Sequence, residues 1–555
     1  MNRALLFLSL LLAACRTTSG AGGAGGAGGG TRPTGGGATT GHSPRLVVVL
    51  VVDQFPEWSL EQKAAQLTGG GFARLFAEGE WHVGRHPSAA TLTAPGHTLL
   101  GTGKPPAYSG ILGNEWWSRD EDRVVHAVEE DDPTKFLRVP GLGDAVARAH
   151  TGAKAVGVSL KERAARLPLG KHGLAVWYES KTVTWNANGD SLGATTVGPT
   201  PAATPASTPT AGQAHPVAHA SKLPAWLAKL PPIAPRITTW TPLDAAKLAT
   251  LSGVVDEQPG EHGEKGFGPT FPHDPQATKD AGDAVFAMPL GNELVLDTAL
   301  AAIDGEGLGK DATPDLLFVS LSANDYIAHG WGHESWESWD SLLRLDTKLA
   351  SFLDELDKRV GANNWALITT SDHGGAPMPE KLDGGRLTWE QLLEATNNAA
   401  VVELGPGNWV ASAHYPFVFL TKAALAQPKR SLAIVIKKIE YALRSFPGIA
   451  RAGRVDTYAG NCETRTGDEK ALCLTFDPQR SGEIFYMPAR GWILMGADDH
   501  YATAHGSLND YDRDVPVVLL PFGRTKHAPD AKPRDEVPLE DVAALVSAWL
   551  GVAPP

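Results

Sequence analysis

"RLVVVLVVDQ", Arg45 to Gln54, sets seven apolar residues in unbroken succession before an aspartate. A strand with one wet face alternates apolar and polar residues; an unbroken run is what a strand covered on both faces requires, as in parallel sheets packed between helices. Four further runs share this character: Ala153–Val158, Leu316–Leu321, Trp365–Thr369 and Val515–Leu520. Helical periodicity intervenes, most clearly from Ser335 to Val360, where Leu342, Leu345, Leu349, Phe352, Leu353 and Leu356 recur at helical spacing. That stripe packs a core and carries no chemistry. The pattern predicts an α/β fold with a mostly parallel central sheet and helices on both faces.

The residues that follow the strands carry the chemistry. The first run ends in Asp53, the second leads into Ser159-Leu160-Lys161-Glu162-Arg163, the third is followed by Asp325 and the fourth by Asp372-His373. Ligands of open α/β sheets bind outside the carboxyl ends of the strands, so these side chains are expected to share one crevice. Asp325 and His329 lie four apart in "DYIAH" and share a face if the segment is helical. Gly374-Gly375 after His373 let backbone or ligand approach closely. His505, in "TAHGSLNDYDRDVPVVLL", also precedes a strand run. Three carboxylates and three imidazoles without a thiolate suit zinc in sites that keep open positions. His82, His86, His126, His150 and His500 are read as surface or structural residues.

Between the first two runs stands "TLTAPGHTLLGTG", Thr91 to Gly103. Gly96 and Leu99-Leu100 suggest a short helix that begins near Ala94-Pro95 and stops before Gly103 and Pro105-Pro106. Thr93 is then the N-cap, at a helix end that also attracts anions. A free threonine hydroxyl does not ionise at neutral pH, and a helix terminus worth about 0.3–1 kcal/mol does not change that. Zinc, which takes water from a pKa of about 15.7 to about 7, does.

These segments resemble the alkaline phosphatase superfamily, and within it the exported, single-chain alkaline phosphatases with a threonine nucleophile, whose sequence family is that of the type I phosphodiesterases and nucleotide pyrophosphatases. The resemblance rests on "VVVDQ", "TLTAPGHTLLGTG", "GILGNEWW", "VSLKERAARLPLG", "AMPLGNELVLDTALAAI", "SANDYIAHGWG", "TTSDHGG" and "AHGSLNDYDRDVPVVL", in the family's order from residue 46 to about 523. It implies an alkaline-phosphatase-like core with inserted cap subdomains and two zinc ions. Asp325, His329 and His505 would hold one ion; Asp53, Asp372 and His373, with the Thr93 oxygen, would hold the other. Asn114 and the Lys161/Arg163 pair would bind the non-bridging phosphate oxygens, and phosphate monoesters would be hydrolysed through a phosphothreonine intermediate. The remaining threonines of the stretch, and His97, match no role and are read as local packing or capping.

Charge counting favours the monoester. Three aspartates and an alkoxide balance two zinc ions, so Lys161 and Arg163 leave a pocket suited to a dianion. The diesterase branch of the superfamily lacks that pair in the equivalent place; a phosphodiesterase or nucleotide pyrophosphatase is the alternative reading, and a non-catalytic metal- or phosphate-binding surface lipoprotein a second. Thr93 cannot become the formylglycine of a sulfatase.

The 555 residues carry 49 Lys+Arg against 62 Asp+Glu, a net charge of −13, which argues against nucleic acid or anionic membrane as partners. Met1-Asn2-Arg3, apolar Ala4 to Leu12, then Ala13-Ala14-Cys15 read as an export signal too short to span a membrane. Leu12 to Cys15 looks like a bacterial lipobox, which places a monomeric enzyme in the periplasm or on the cell surface, anchored through Cys15. Cys462 and Cys473 then suit a disulfide in an oxidising compartment. The expected organisation is a signal peptide at 1–15, a Gly-rich flexible tether at 16–44, and a catalytic core at 45–180, 286–375 and 491–555. A cap insertion at 181–285 includes the Thr/Pro/Ala-rich low-complexity stretch 193–220, and a second inserted subdomain at 376–490 carries the cysteine pair.

Overall fold

The computed structural model describes residues 43–189 and 223–555. The signal peptide with Cys15, all but the end of the tether and the stretch 193–220 lie outside the described residues.

Leu46–Val52 is a strand near the middle of a nine-stranded sheet. From one edge to the other the order is Glu536–Pro538, Glu80–Arg85, Asp514–Leu520, Trp365–Thr370, Leu46–Val52, Asp315–Leu321, Ala155–Ser159, Leu174–Glu179 and Thr184–Asn188. The four strands from Trp365–Thr370 to Ala155–Ser159 run parallel, with Leu174–Glu179 continuing the set. Asp514–Leu520 runs antiparallel to both its neighbours. Every expected apolar run is a strand, shifted by at most two residues at an end.

The unbroken apolar pattern has its expected cause. Leu46, Val48, Leu50 and Val52 enter the hydrophobic core on one face, and Val47, Val49 and Val51 enter the core on the other. The first core is closed by the helices Pro289–Glu306 and Trp336–Arg359, the second by Thr93–Thr102, Leu142–Ala149 and Asp541–Leu550. Trp336–Arg359 begins where Ser335 Oγ accepts from Ser338 N at 3.0 Å, a side-chain N-cap.

Within 376–490 a separate antiparallel sheet pairs Val410–Ser412, Phe417–Leu420, Ile484–Pro488 and Ile449–Arg454. Its hydrophobic cluster extends to Ala94, Ile111, Leu112 and Trp116, so this sheet packs against the segments that flank Thr93. Cys462 and Cys473 form a disulfide with a Cα–Cα distance of 5.5 Å. Residues 223–285 are mostly short turns whose Ile233, Ile237, Trp240 and Phe267 pack onto the first core.

Candidate metal centre and nucleophile

Parallel neighbours bring equivalent strand ends side by side, about 4.8 Å apart. Val52 pairs with Leu321, Val51 with Thr370 and Ser159 with Ser320, so the ends of four adjacent strands finish at one level. Asp53, Lys161, Asp325 and Asp372-His373 follow those ends. Asp325 and His329 both lie on the helix Ala323–Trp331, one turn apart.

The carboxylates converge. Lys161 Nζ donates to Asp53 Oδ2 at 2.8 Å and to Asp325 Oδ2 at 2.6 Å, and stands 3.5 Å from Thr93 Oγ1. His373 Nε2 is 3.6 Å from Asp53 Oδ1 and 3.4 Å from Asp372 Oδ2. His329 and His505 point their Nε2 atoms at Asp325 Oδ1, at 3.3 and 3.6 Å. His505 also stacks on His373, ring centres 3.8 Å apart. Side-chain donor atoms of Asp53, Asp372 and His373 lie within 4.8 Å of one another. In the other group, Asp325 and His505 have His373 inside that range, and His329 joins through Asp325.

Electrostatics follows from burial and these partners. Burial and the Asp372 carboxylate push Asp53 up to about 6, against the pull of Lys161. Burial would also raise Asp325, but Lys161 and His329 hold it well below the usual carboxylate range. Burial disfavours the Lys161 cation, yet the two aspartates keep it charged.

The donor set fits a divalent cation. Each imidazole is fixed through its Nδ1 by a main-chain carbonyl: His329 by Thr503 O at 2.8 Å, His505 by Thr91 O at 2.7 Å, His373 by Gly374 O at 2.9 Å. That leaves the Nε2 lone pairs aimed at the carboxylates, the arrangement of metal-binding histidines. Asp53 Oδ1 and His373 Nε2 are buried and take no hydrogen bond among the described residues. An orphaned carboxylate oxygen facing an orphaned imidazole nitrogen is costly unless a cation joins them.

Thr93 differs by one residue from its expected place. The helix runs Thr93–Thr102, and Leu92 holds the extended N-cap position, because Gly96 N bonds Leu92 O at 2.9 Å. Thr93 is the first helical residue, so its hydroxyl is not spent on capping. Asn114 does that work instead: its Oδ1 accepts from Ala94 N at 2.9 Å, which leaves the amide nitrogen to donate elsewhere. The helix stops before Gly103, as expected, and Gly103 follows it in the left-handed conformation. Arg163, in the short helix after Lys161, has a buried Nε, and its guanidinium enters no ion pair or hydrogen bond among the described residues.

His97 is the residue that sequence reasoning missed. Its buried ring donates from Nδ1 to Thr93 O at 2.9 Å, stands 3.1 Å from Asp372 Oδ2, and meets Ser320 Oγ through Nε2 at 2.8 Å. Spacing of four from Thr93 on one helix was the available signal. The glycines of "SDHGG" serve close backbone approach: a Cβ at Gly374 would stand 2.1 Å from Tyr511 O. Lys265, in the segment of short turns 223–285, also reaches this region, since Lys161 and Lys265 each place Nζ 4.9 Å from the centre of the Tyr326 ring.

Comparison with known proteins gives the chain's relatives. The chain is 29% identical over 539 residues to alkaline phosphatase PhoV of Synechococcus elongatus, covering 92% of this chain and 91% of that one. It is 27% identical over 544 residues to alkaline phosphatase PafA of Elizabethkingia meningoseptica, covering 92% of each. The crystal structure of wild-type alkaline phosphatase PafA matches with a TM-score of 0.77 at 25% identity, over 93% of this chain and 97% of that one. The family model for type I phosphodiesterase / nucleotide pyrophosphatase matches residues 47–508. On that match, carried by a fold of the alkaline phosphatase superfamily, the chain belongs to the type I phosphodiesterase / nucleotide pyrophosphatase family.

Proposed function

We propose that this protein is an alkaline phosphatase that hydrolyses phosphate monoesters outside the cytoplasm, through a covalent intermediate on Thr93. The observation that carries the reading is the uncapped Thr93 hydroxyl, 3.5 Å from Lys161 Nζ at the mouth of the convergent carboxylates and imidazoles. A phosphate- or metal-binding protein has no need of that hydroxyl.

Asp325, His329 and His505 would hold one zinc ion and Asp53, Asp372, His373 and the Thr93 oxygen another; bound there, such ions supply the Lewis-acid charge that makes an alcohol nucleophilic and stabilises a departing oxygen. The chain's own groups do the rest. Thr93 Oγ1 gives its proton to solvent and attacks phosphorus in line; the new O–P bond forms as the ester O–P bond breaks, and the departing alkoxide takes a proton from solvent and leaves as the alcohol. Water then attacks phosphorus, releases inorganic phosphate and restores the hydroxyl. Lys161, Arg163 and the Asn114 amide donate to the non-bridging oxygens, and the helix N-terminus under Thr93 favours their charge. Two cations on those oxygens match the monoester dianion better than a diester monoanion.

The Cys462–Cys473 disulfide supports an oxidising compartment. With the export signal it argues for a periplasmic or surface enzyme, tethered as a monomer through Cys15, with a core built from 45–180, 286–375 and 491–555 around insertions at 181–285 and 376–490.

The test is turnover of p-nitrophenyl phosphate and of its methyl diester, with and without a metal chelator. The expected result is chelator-sensitive hydrolysis with a far larger kcat/KM for the monoester. A preference for the diester would favour the phosphodiesterase alternative, and absence of chelator-sensitive turnover would favour a binding protein.

A further inference from the structure

Gln54 follows Asp53 in the motif that closes the first strand, and the chemistry above leaves it without a task. It is fully buried, and its φ of +54° puts a non-glycine residue in the left-handed region. Glutamine rarely adopts that conformation, which persists where the surroundings enforce it and which gathers at functional sites.

The contacts explain the enforcement. Gln54 N donates to Asp372 Oδ1 at 3.3 Å. Its side chain faces two acceptors of Asp325, so the amide nitrogen lies on that side and donates to the main-chain O at 2.9 Å and to Oδ1 at 3.0 Å. Asn324, the residue before Asp325, returns two bonds from Nδ2, to Asp53 O at 2.8 Å and to Gln54 O at 3.0 Å. A Cβ at Gly375 would come within 3.1 Å of Gln54 Cγ, so the glycine beyond His373 clears the space. One residue thus touches an aspartate of each ligand group, by main chain on one side and side chain on the other.

We propose that Gln54 is a positioning residue that ties the two ligand groups together, its N–H orienting Asp372 and its amide orienting Asp325. The proposal rests on the metal reading of the site. An amide suits the task because it directs one lone pair of each carboxylate without adding charge, and leaves the remaining lone pairs to a cation. The left-handed turn is what lets backbone and side chain point in different directions from one α-carbon.

The test compares wild type with Gln54→Met, which keeps length and loses the donor, and Gln54→Asn, which tolerates the left-handed backbone, keeps the N–H on Asp372 and withdraws the amide from Asp325. Each protein is loaded with zinc, dialysed against a graded series of zinc chelator and assayed for retained metal by atomic emission, with thermal melting in parallel. The expected result is folded variants that release zinc at about 10- to 100-fold lower chelator concentration. Should Gln54→Met not fold, Gln54→Asn carries the result. Retention curves that superimpose on wild type overturn the positioning role while the metal reading stands. A wild type that retains no zinc at any chelator concentration overturns both.

Discussion

His97 Nδ1 stands 3.1 Å from Asp372 Oδ2, with both side chains fully buried. The same nitrogen donates to Thr93 O, so one imidazole couples the start of the Thr93 helix to the Asp372 carboxylate. His97→Ala is expected to lower kcat by about 10- to 100-fold with little change in KM, as loss of a supporting contact to a metal ligand does. Steady-state kinetics with p-nitrophenyl phosphate decide it. Unchanged kcat would reduce His97 to a packing residue.

Thr93→Ala is expected to cut turnover by more than about a thousandfold, because the proposed mechanism gives the covalent role to its hydroxyl. Acid-quenched wild type should yield phosphothreonine at position 93 by mass spectrometry. A phosphoenzyme mapped to another residue would refute the assignment.

Arg163→Ala should lower kcat/KM for the monoester by about 10- to 100-fold and spare the diester, since a charge-assisted contact to the second anionic oxygen is lost. Because its guanidinium has no ion pair or hydrogen bond among the described residues, the melting temperature should move little. Equal losses on both substrates would argue against the dianion explanation.

Glu57 gives a pH dependence that does not touch the site. It is buried, accepts from Trp81 Nε1 at 3.3 Å, and is pushed up to about 8 by burial, which the Trp81 hydrogen bond opposes. The folded state therefore keeps a proton that the unfolded chain releases near pH 4.5. Its contribution is full below that pH and is lost as pH rises through about 8, at about 1.4 kcal/mol per unit within the window. Glu57→Gln should melt higher than wild type at pH 9 and no higher at pH 4. The opposite ordering would show that the carboxylate is ionised in the fold.

Gly96→Ala tests how tightly the helix of Thr93 abuts Asp372. An added Cβ would stand 2.3 Å from Asp372 O, main chain that has no rotamer to yield. Overpacking of this kind costs about 1–3 kcal/mol. Thermal melts should show the loss, and activity should fall with it; a silent substitution would mean that the two segments part easily.

Much of this architecture was written in local pattern. The seven apolar residues from Leu46 announced a strand covered on both faces because no alternation remained to meet water. Asp53, Lys161, Asp325 and Asp372 were visible because ligands gather at strand ends. The spacing of Asp325 and His329 worked because a helix returns every fourth residue to one face.

Other features had no local signature. That Thr93 is left uncapped depends on Asn114 reaching Ala94 N across a loop. That His97 meets Asp372, and Gln54 meets Asp325, depends on residues more than two hundred positions apart being brought together beyond the ends of the sheet strands. The nitrogen that each histidine turns toward the carboxylates is set by a carbonyl from its surroundings, Thr91 O for His505 and Thr503 O for His329. Periodicity is a property of a segment and can be read there. The direction of a lone pair is a property of what packs opposite it, and exists once the chain has closed on itself.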